Sequence, residues 1–259
     1  MSWWGWHGYS QPQPLSITQV LRAGNLSAEM AALLWMGLEK GSSIVVASDP
    51  PSSGKTTTLS ALLPFFPADG VLYFTRGLGE RFELPPLGEE PVYLMVNEIS
   101  DHLPVYSWGA NVQRIFELMS EGYAMASTMH CDTTDEVIDQ LRDDVGVEES
   151  LIGHLTFVLP IDVRWDQGAV RRRSLELALL EPCDGAPQKA TLGEWSETTD
   201  SYLSPSDEAL ASFGARFGDD ASTVRSEMEG RAAMLIDLAE RSATADEVEA
   251  AIAEYRAKP

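Results

Sequence analysis

Three successive residues, Gly54-Lys55-Thr56, stand between a short β-branched run, Ile44-Val45-Val46-Ala47-Ser48, and a helix-forming segment stopped by Pro64. This placement constrains the fold more than any other feature. The apolar run is the kind that a parallel strand covered on both faces needs. A loop that cradles phosphate needs inward-pointing amides, a helix start aimed at the anion, a lysine, and a hydroxyl for magnesium. The stretch Ser52, Ser53, Gly54, Lys55, Thr56 and Thr57 offers these parts, with Thr56 as the magnesium ligand. Lysine is otherwise scarce: Lys40, Lys189 and Lys258 complete the set.

The full P-loop pattern also wants a glycine six residues before the lysine. Asp49 stands there, followed by Pro50 and Pro51. At ~6 Å and an effective dielectric of about 20, one like-charge pair costs roughly 3 kcal/mol. The two prolines remove two amide donors. Either the turn is reshaped so that Asp49 points away, or the loop no longer holds nucleotide.

Two further stretches carry chemistry. Glu98 follows the apolar run Val92-Tyr93-Leu94-Met95-Val96 and Asn97. A carboxylate just past a buried strand is placed to orient water or a magnesium-bound water. Ser127-Thr128-Met129-His130 ends another buried strand in polar groups. His102 and His154 have no comparable setting. No His/Cys/carboxylate cluster shows zinc-ligand spacing, so no protein metal site is expected.

Strand and helix patterns alternate through the first 150 residues. They predict an α/β fold with a mostly parallel sheet and helices on both faces. Leu155–Arg164 and Ser174–Leu180 read as a hairpin about the Asp166-Gln167-Gly168 turn. Arg171-Arg172-Arg173 reads as an exposed strand end, with a phosphate or acidic-partner contact as the alternative. After Pro182 the sequence turns to Gly, Pro, Ser and Thr. The expected organisation is an irregular aromatic arm over 1–14, a core over 15–183, a linker over 184–203 and a helical C-terminal region over 204–259. The arm is either a loose tail or a docking segment.

Forty Asp and Glu against 18 Lys and Arg give a net charge of −22. That argues against non-specific contact with nucleic acid or an anionic membrane. Cys131 and Cys183 have no CxxC spacing and fit a reducing cytoplasm. The opening MSWWGWHGYSQPQP lacks the charged and apolar regions of a signal peptide.

In order along the chain, four stretches resemble the secretion and type IV filament motor ATPases, and most closely the subclass driving archaeal-type filaments and Tad pili. Leu26 to Trp35 looks like the helix before their P-loop. Gly54 to Leu62 is similar to their Walker A segment, Glu98 lies where their Walker B glutamate sits, and Gly122 to Asp132 looks like their His box. Glu229 to Leu235 and Asp246 to Tyr255 resemble their closing helices.

The resemblance implies a RecA-like P-loop NTPase core with a helical C-terminal tail, binding ATP and Mg2+. Lys55 and Thr56 would hold the phosphates and the metal, and Glu98 and His130 would be the catalytic residues. It further implies a cytoplasmic ring, a homo-oligomer of hexameric kind or one mixed with a full-length relative, docked on an inner-membrane platform protein. There are departures. Only about a dozen residues precede the matching part, so the chain reads as truncated. Thr75-Arg76-Gly77 stands where the family's acidic box belongs, with Glu80 and Glu83 out of place. The readings left open are a motor ATPase, a nucleotide-binding or assembly subunit without turnover, and an interaction module that binds no nucleotide.

Overall fold

The computed structural model describes residues 15–166 and 168–257; the expected arm over 1–14 lies outside them. The chain enters through α1 (Ile17–Arg22) and α2 (Ala28–Leu38). The Ser27 hydroxyl accepts from the Met30 amide at 3.1 Å, the N-cap that the sequence predicts. Gly41, at φ 82°, turns the chain out of the helix end. All of α2 from Met30 to Leu38 is buried. It lies between the sheet and the C-terminal helices, which explains an apolar surface on every side.

The strand β1 (Ile44–Ala47) leads into α3 (Lys55–Ala61), then β2 (Val71–Phe74) and β3 (Val92–Met95). Next come α4 (Ala110–Glu121), β4 (Ala124–Met129), α5 (Thr134–Asp139) and α6 (Glu149–Ile152). Neighbours in the sheet run β2-β3-β4-β1-β5, where β5 is Phe157–Asp166, and every pair in this half is parallel. Alternate residues of β1 face opposite cores. Ile44 and Val46 pack with α1, α2 and the C-terminal helices, while Val45 and Ala47 pack with α4 and α5. Both faces are therefore covered at β1, β3 and β4, as their apolar runs require, whereas the edge strand β2 leaves Val71, Leu72 and Phe74 exposed.

The expectation of a mostly parallel sheet needs correction: the nine-stranded sheet is mixed. Beyond β5 the chain adds β6 (Ala169–Ser174), β7 (Glu176–Glu181), β8 (Gln188–Ser196) and β9 (Ser201–Leu203), all antiparallel to their neighbours. The hairpin pairs β5 with β6, so Arg171-Arg172-Arg173 lies within a strand. The stretch 188–203, expected as linker, supplies β8 and β9. These strands bury Leu192 and Gly193 and expose most of the rest. An antiparallel strand with one wet face reads as polar loop when only composition is weighed. Gly193 is also required by packing, because a Cβ there would lie 2.6 Å from Met30 Cγ.

Three helices close the chain: α7 (Asp207–Phe217), α8 (Ala221–Glu240) and α9 (Ala245–Arg256). The Thr244 hydroxyl and the Glu247 carboxylate form the capping box that starts α9. Glu39, at the end of α2, anchors this tail. Its Oε1 lies 2.6 Å from Arg231 Nη1 and its Oε2 lies 3.3 Å from Arg256 Nε. A carboxylate at a helix C-terminus opposes the dipole, and two guanidinium groups offset it. Arg231 also lies over the Trp35 ring at 4.5 Å. No helix among the described residues is long and apolar enough to cross a membrane.

Candidate functional site

The loop after β1 is held at its base by the neighbouring strand. The Ser48 amide donates to the Met129 carbonyl at 3.1 Å, which extends the pairing of β1 with β4. Asp49 is fixed through its main chain: its amide donates to Asp132 Oδ1 at 3.0 Å, and its carbonyl oxygen lies 2.6 Å from His130 Nδ1. Asp49, Pro50 and Pro51 are exposed. The aspartate is solvated there, yet its charge still reaches the Lys55 ammonium. Ser52 at φ 61° and Gly54 at φ 102° turn the chain back toward the sheet. Gly54 is the less replaceable of the two, since its φ disfavours any side chain and an added Cβ would meet Arg172 Cδ at 3.1 Å.

Thr58 donates to the Gly54 carbonyl at 2.8 Å and closes the first turn of α3. The amides before it precede the first intrahelical bond. Lys55 is 6% exposed and reaches back across the loop. Its Nζ donates to the Ser48 carbonyl at 2.6 Å and to the Pro50 carbonyl at 3.5 Å. Burial lowers its pKa, against the opposing pull of Glu98, Asp49 and Asp132. Ser53 is buried, and its Oγ, like that of Ser48, has no hydrogen-bond partner among the described residues. Thr56 is exposed and Thr57 half-buried.

Glu98 and His130 are brought to this loop from the ends of β3 and β4. Glu98 Oε1 lies 3.4 Å from His130 Nε2. Burial raises the Glu98 carboxyl above its ordinary range, partly countered by His130, Lys55 and His102. The hydroxyl of Thr128 is engaged elsewhere, donating to the Asn97 carbonyl at 3.1 Å, so it braces β4 against the segment carrying Glu98.

Two participants escape a reading of the sequence. Arg172 donates from Nε to the Ser53 carbonyl at 2.7 Å and from Nη2 to the Ser52 carbonyl at 3.1 Å. Its neighbour Arg173 instead makes a two-point pair with Asp200 at 2.8 and 3.0 Å. The alternation of side chains along β6 separates these roles, and strand register is the signal that would have found them. The second is His102, whose ring centroid lies 5.8 Å from that of His130. Donor atoms of Glu98, His102 and His130 all lie within 4.8 Å of one another, a proximity that the sequence spacing does not show. Glu98 and His102 share the loop after β3, but His130 joins them only through the pairing of β3 with β4.

No carboxylate stands at Thr75-Arg76-Gly77. Glu80 nearby is occupied by local structure: it accepts from Tyr73 Oη at 2.7 Å and from the amides of Arg76, Arg81 and Phe82 at 2.8, 2.8 and 2.6 Å. Glu83 is exposed.

No protein-family model matches the chain. Uncharacterized protein MJ0900 of Methanocaldococcus jannaschii is 27% identical over 221 residues, covering 73% of this chain and 38% of that protein. Uncharacterized protein MJ1287 of the same organism is 28% identical over 152 residues, covering 48% of this chain and 53% of its own length. The chain thus spans about half or less of the curated relatives it matches. Among solved structures, the ATPase DotB of Yersinia pseudotuberculosis superposes with a TM-score of 0.40 and 16% identity, over 84% of this chain and 56% of that one. DotB of Legionella pneumophila gives a TM-score of 0.38 and 14% identity, over 85% of this chain and 57% of that one.

Proposed function

We propose that the protein binds ATP with magnesium at the Ser52–Thr57 loop and hydrolyses it as a motor ATPase of a secretion or type IV filament machine. One observation carries this reading. The lysine-bearing loop and the Glu98–His130 pair meet at one edge of the sheet, joined through the Asp49 carbonyl.

The residues present fit the nucleotide and its metal. Two buried serine hydroxyls, of Ser48 and Ser53, lack partners at either end of the loop, and the Thr56 hydroxyl is accessible as a magnesium ligand. Magnesium would supply charge neutralisation at the phosphates. Lys55 exchanges the Ser48 carbonyl for phosphate oxygens. Glu98, once ionised, orients the attacking water and accepts its proton. His130 transmits the state of that carboxylate to Asp49 and hence to the loop. The RecA-like core over 15–183, the tail over 204–259, the cytoplasmic ring and docking on a membrane platform protein belong to the same proposal and rest on the resemblance of the motifs.

Calorimetric titration with Mg-ATP and phosphate release, measured on one sample, test it. Saturable binding and turnover are expected, and both are expected to fail in Lys55→Ala. Unchanged ATP affinity in that variant would remove this site from consideration. A second reading, binding without turnover, is favoured by Glu80, whose carboxylate is consumed locally where the family's acidic box would act. Intact binding with no phosphate release in the unmodified protein would select it.

A further inference from the structure

We propose that Glu98, His102 and His130 bind one divalent transition-metal ion of the zinc class. Glu98 and His102 stand four residues apart on the loop after β3, His130 follows β4, and the three donors lie within 4.8 Å of one another. The His130 ring is already set for ligation. A carbonyl oxygen can only accept, so the 2.6 Å contact with Asp49 places the hydrogen on Nδ1. Nε2 is then the free donor atom, and it points at Glu98. A metal-ligating histidine is commonly oriented in this way, by a carbonyl on its other nitrogen.

The separation of the two donors is informative. At 3.4 Å, Nε2 and Oε1 are farther apart than in a charge-assisted hydrogen bond of about 2.7–2.9 Å. They match the edge of a tetrahedron built on bonds of ~2.0–2.1 Å, which is about 3.3 Å. His102 sits on an exposed turn, its amide bonded to Ser100 Oγ at 3.2 Å. Asp101, 3.9 Å from His102 Nε2, adds negative charge beside the site. Two imidazoles and one carboxylate favour zinc or cobalt over magnesium, whose ligands are oxygens. Three protein ligands leave a fourth position open.

This inference does not depend on nucleotide binding and is tested without nucleotide. The metal-free full chain is titrated with Co2+, read by its visible ligand-field absorption, and then displaced by Zn2+. One equivalent bound through nitrogen and oxygen is expected. Affinity should fall at least tenfold in His102→Ala and in Glu98→Gln, each checked for native circular dichroism. His102 is exposed, so its replacement leaves the fold intact. The proposal is overturned by the absence of saturable binding, by unchanged affinity in His102→Ala, or by thiolate bands reporting Cys131 or Cys183. Retained cobalt binding in Lys55→Ala separates this site from the nucleotide reading.

Discussion

His130 Nδ1 lies 2.6 Å from the carbonyl oxygen of Asp49, so the end of β4 grips the loop at the residue where it leaves β1. The same ring faces Glu98 through its other nitrogen. Replacing it uncouples two groups at once. His130→Ala is expected to lower turnover about 10²- to 10⁴-fold, the range for losing a residue of an acid–base pair. ATP affinity should change much less. Steady-state phosphate release beside a binding isotherm checks this, and equal losses in both would mean that His130 acts only on the loop.

The buried carboxylate of Glu98 carries a pH signature. Its pKa in the folded chain is raised by burial above the ordinary 4.5, so the native state holds its proton to higher pH than the unfolded state does. This residue's contribution to stability therefore declines as pH rises from about 4.5 through the elevated value, and the penalty is complete above it. Glu98→Gln should gain on the unmodified protein in thermal midpoint across that window, while its turnover vanishes. A midpoint difference that stays flat with pH would contradict the assignment. The acid limb of the turnover profile should also lie above the usual carboxylate range.

Arg172 and Gly54 form a testable contact. Arg172→Ala removes two charge-assisted bonds to loop carbonyls, each worth about 1.5–3 kcal/mol in a buried setting and less here, where one is exposed. ATP affinity is expected to fall about tenfold, with faster hydrogen exchange of the amides of Asp49, Ser52, Ser53 and Gly54 and little change in global stability. Gly54→Ala should weaken binding further, because strain at φ 102° costs about 1–3 kcal/mol and the new methyl displaces the Arg172 side chain. Loop exchange rates identical to the unmodified protein in both variants would remove Arg172 from the loop's support.

Packing of α2 on β5 makes a separate prediction. A Cβ at Gly37 would lie 2.4 Å from the Phe157 ring. Gly37→Ala is expected to destabilise the fold by about 1–3 kcal/mol through overpacking. Chemical denaturation measures it, and a neutral result would show that Phe157 can move.

Glu39 joins the C-terminal helices to α2 through Arg231 and Arg256. Glu39→Ala leaves two guanidinium groups without their carboxylate. Breaking a fully buried pair costs about 3–5 kcal/mol, and the partial exposure of this one reduces the expectation to about 2 kcal/mol. Limited proteolysis should then release the tail before the sheet. Cleavage in the unmodified order would argue against the anchor.

Much of the parallel half was legible because its strands are uniformly apolar and its helices carry local caps, at Ser27 and Thr244 for example. In the antiparallel half only the strands at Leu155–Arg164 and Ser174–Leu180 were legible, as β5 and β7; β8 and β9 were not. Strand β8 is half solvated, and its register depends on partners distant in sequence. The same limit governed the site. Lys55, Glu98 and His130 each end a buried strand or open the helix after one, so motif and position point to them. Arg172 and His102 reach the site only through strand pairing and a surface turn, and neither carries a local pattern. Among the polar groups that end β4, the hydroxyl of Thr128 is committed to the Asn97 carbonyl.

The guanidinium that steadies the loop belongs to a hairpin that leads away from it. Across that hairpin Arg172 pairs with Val163, while the exposed indole of Trp165 stands toward the tip, opposite Val170. Force applied at the indole passes along two strands to the carbonyls of Ser52 and Ser53. Whatever grips this projecting finger therefore holds a handle on the loop without approaching it.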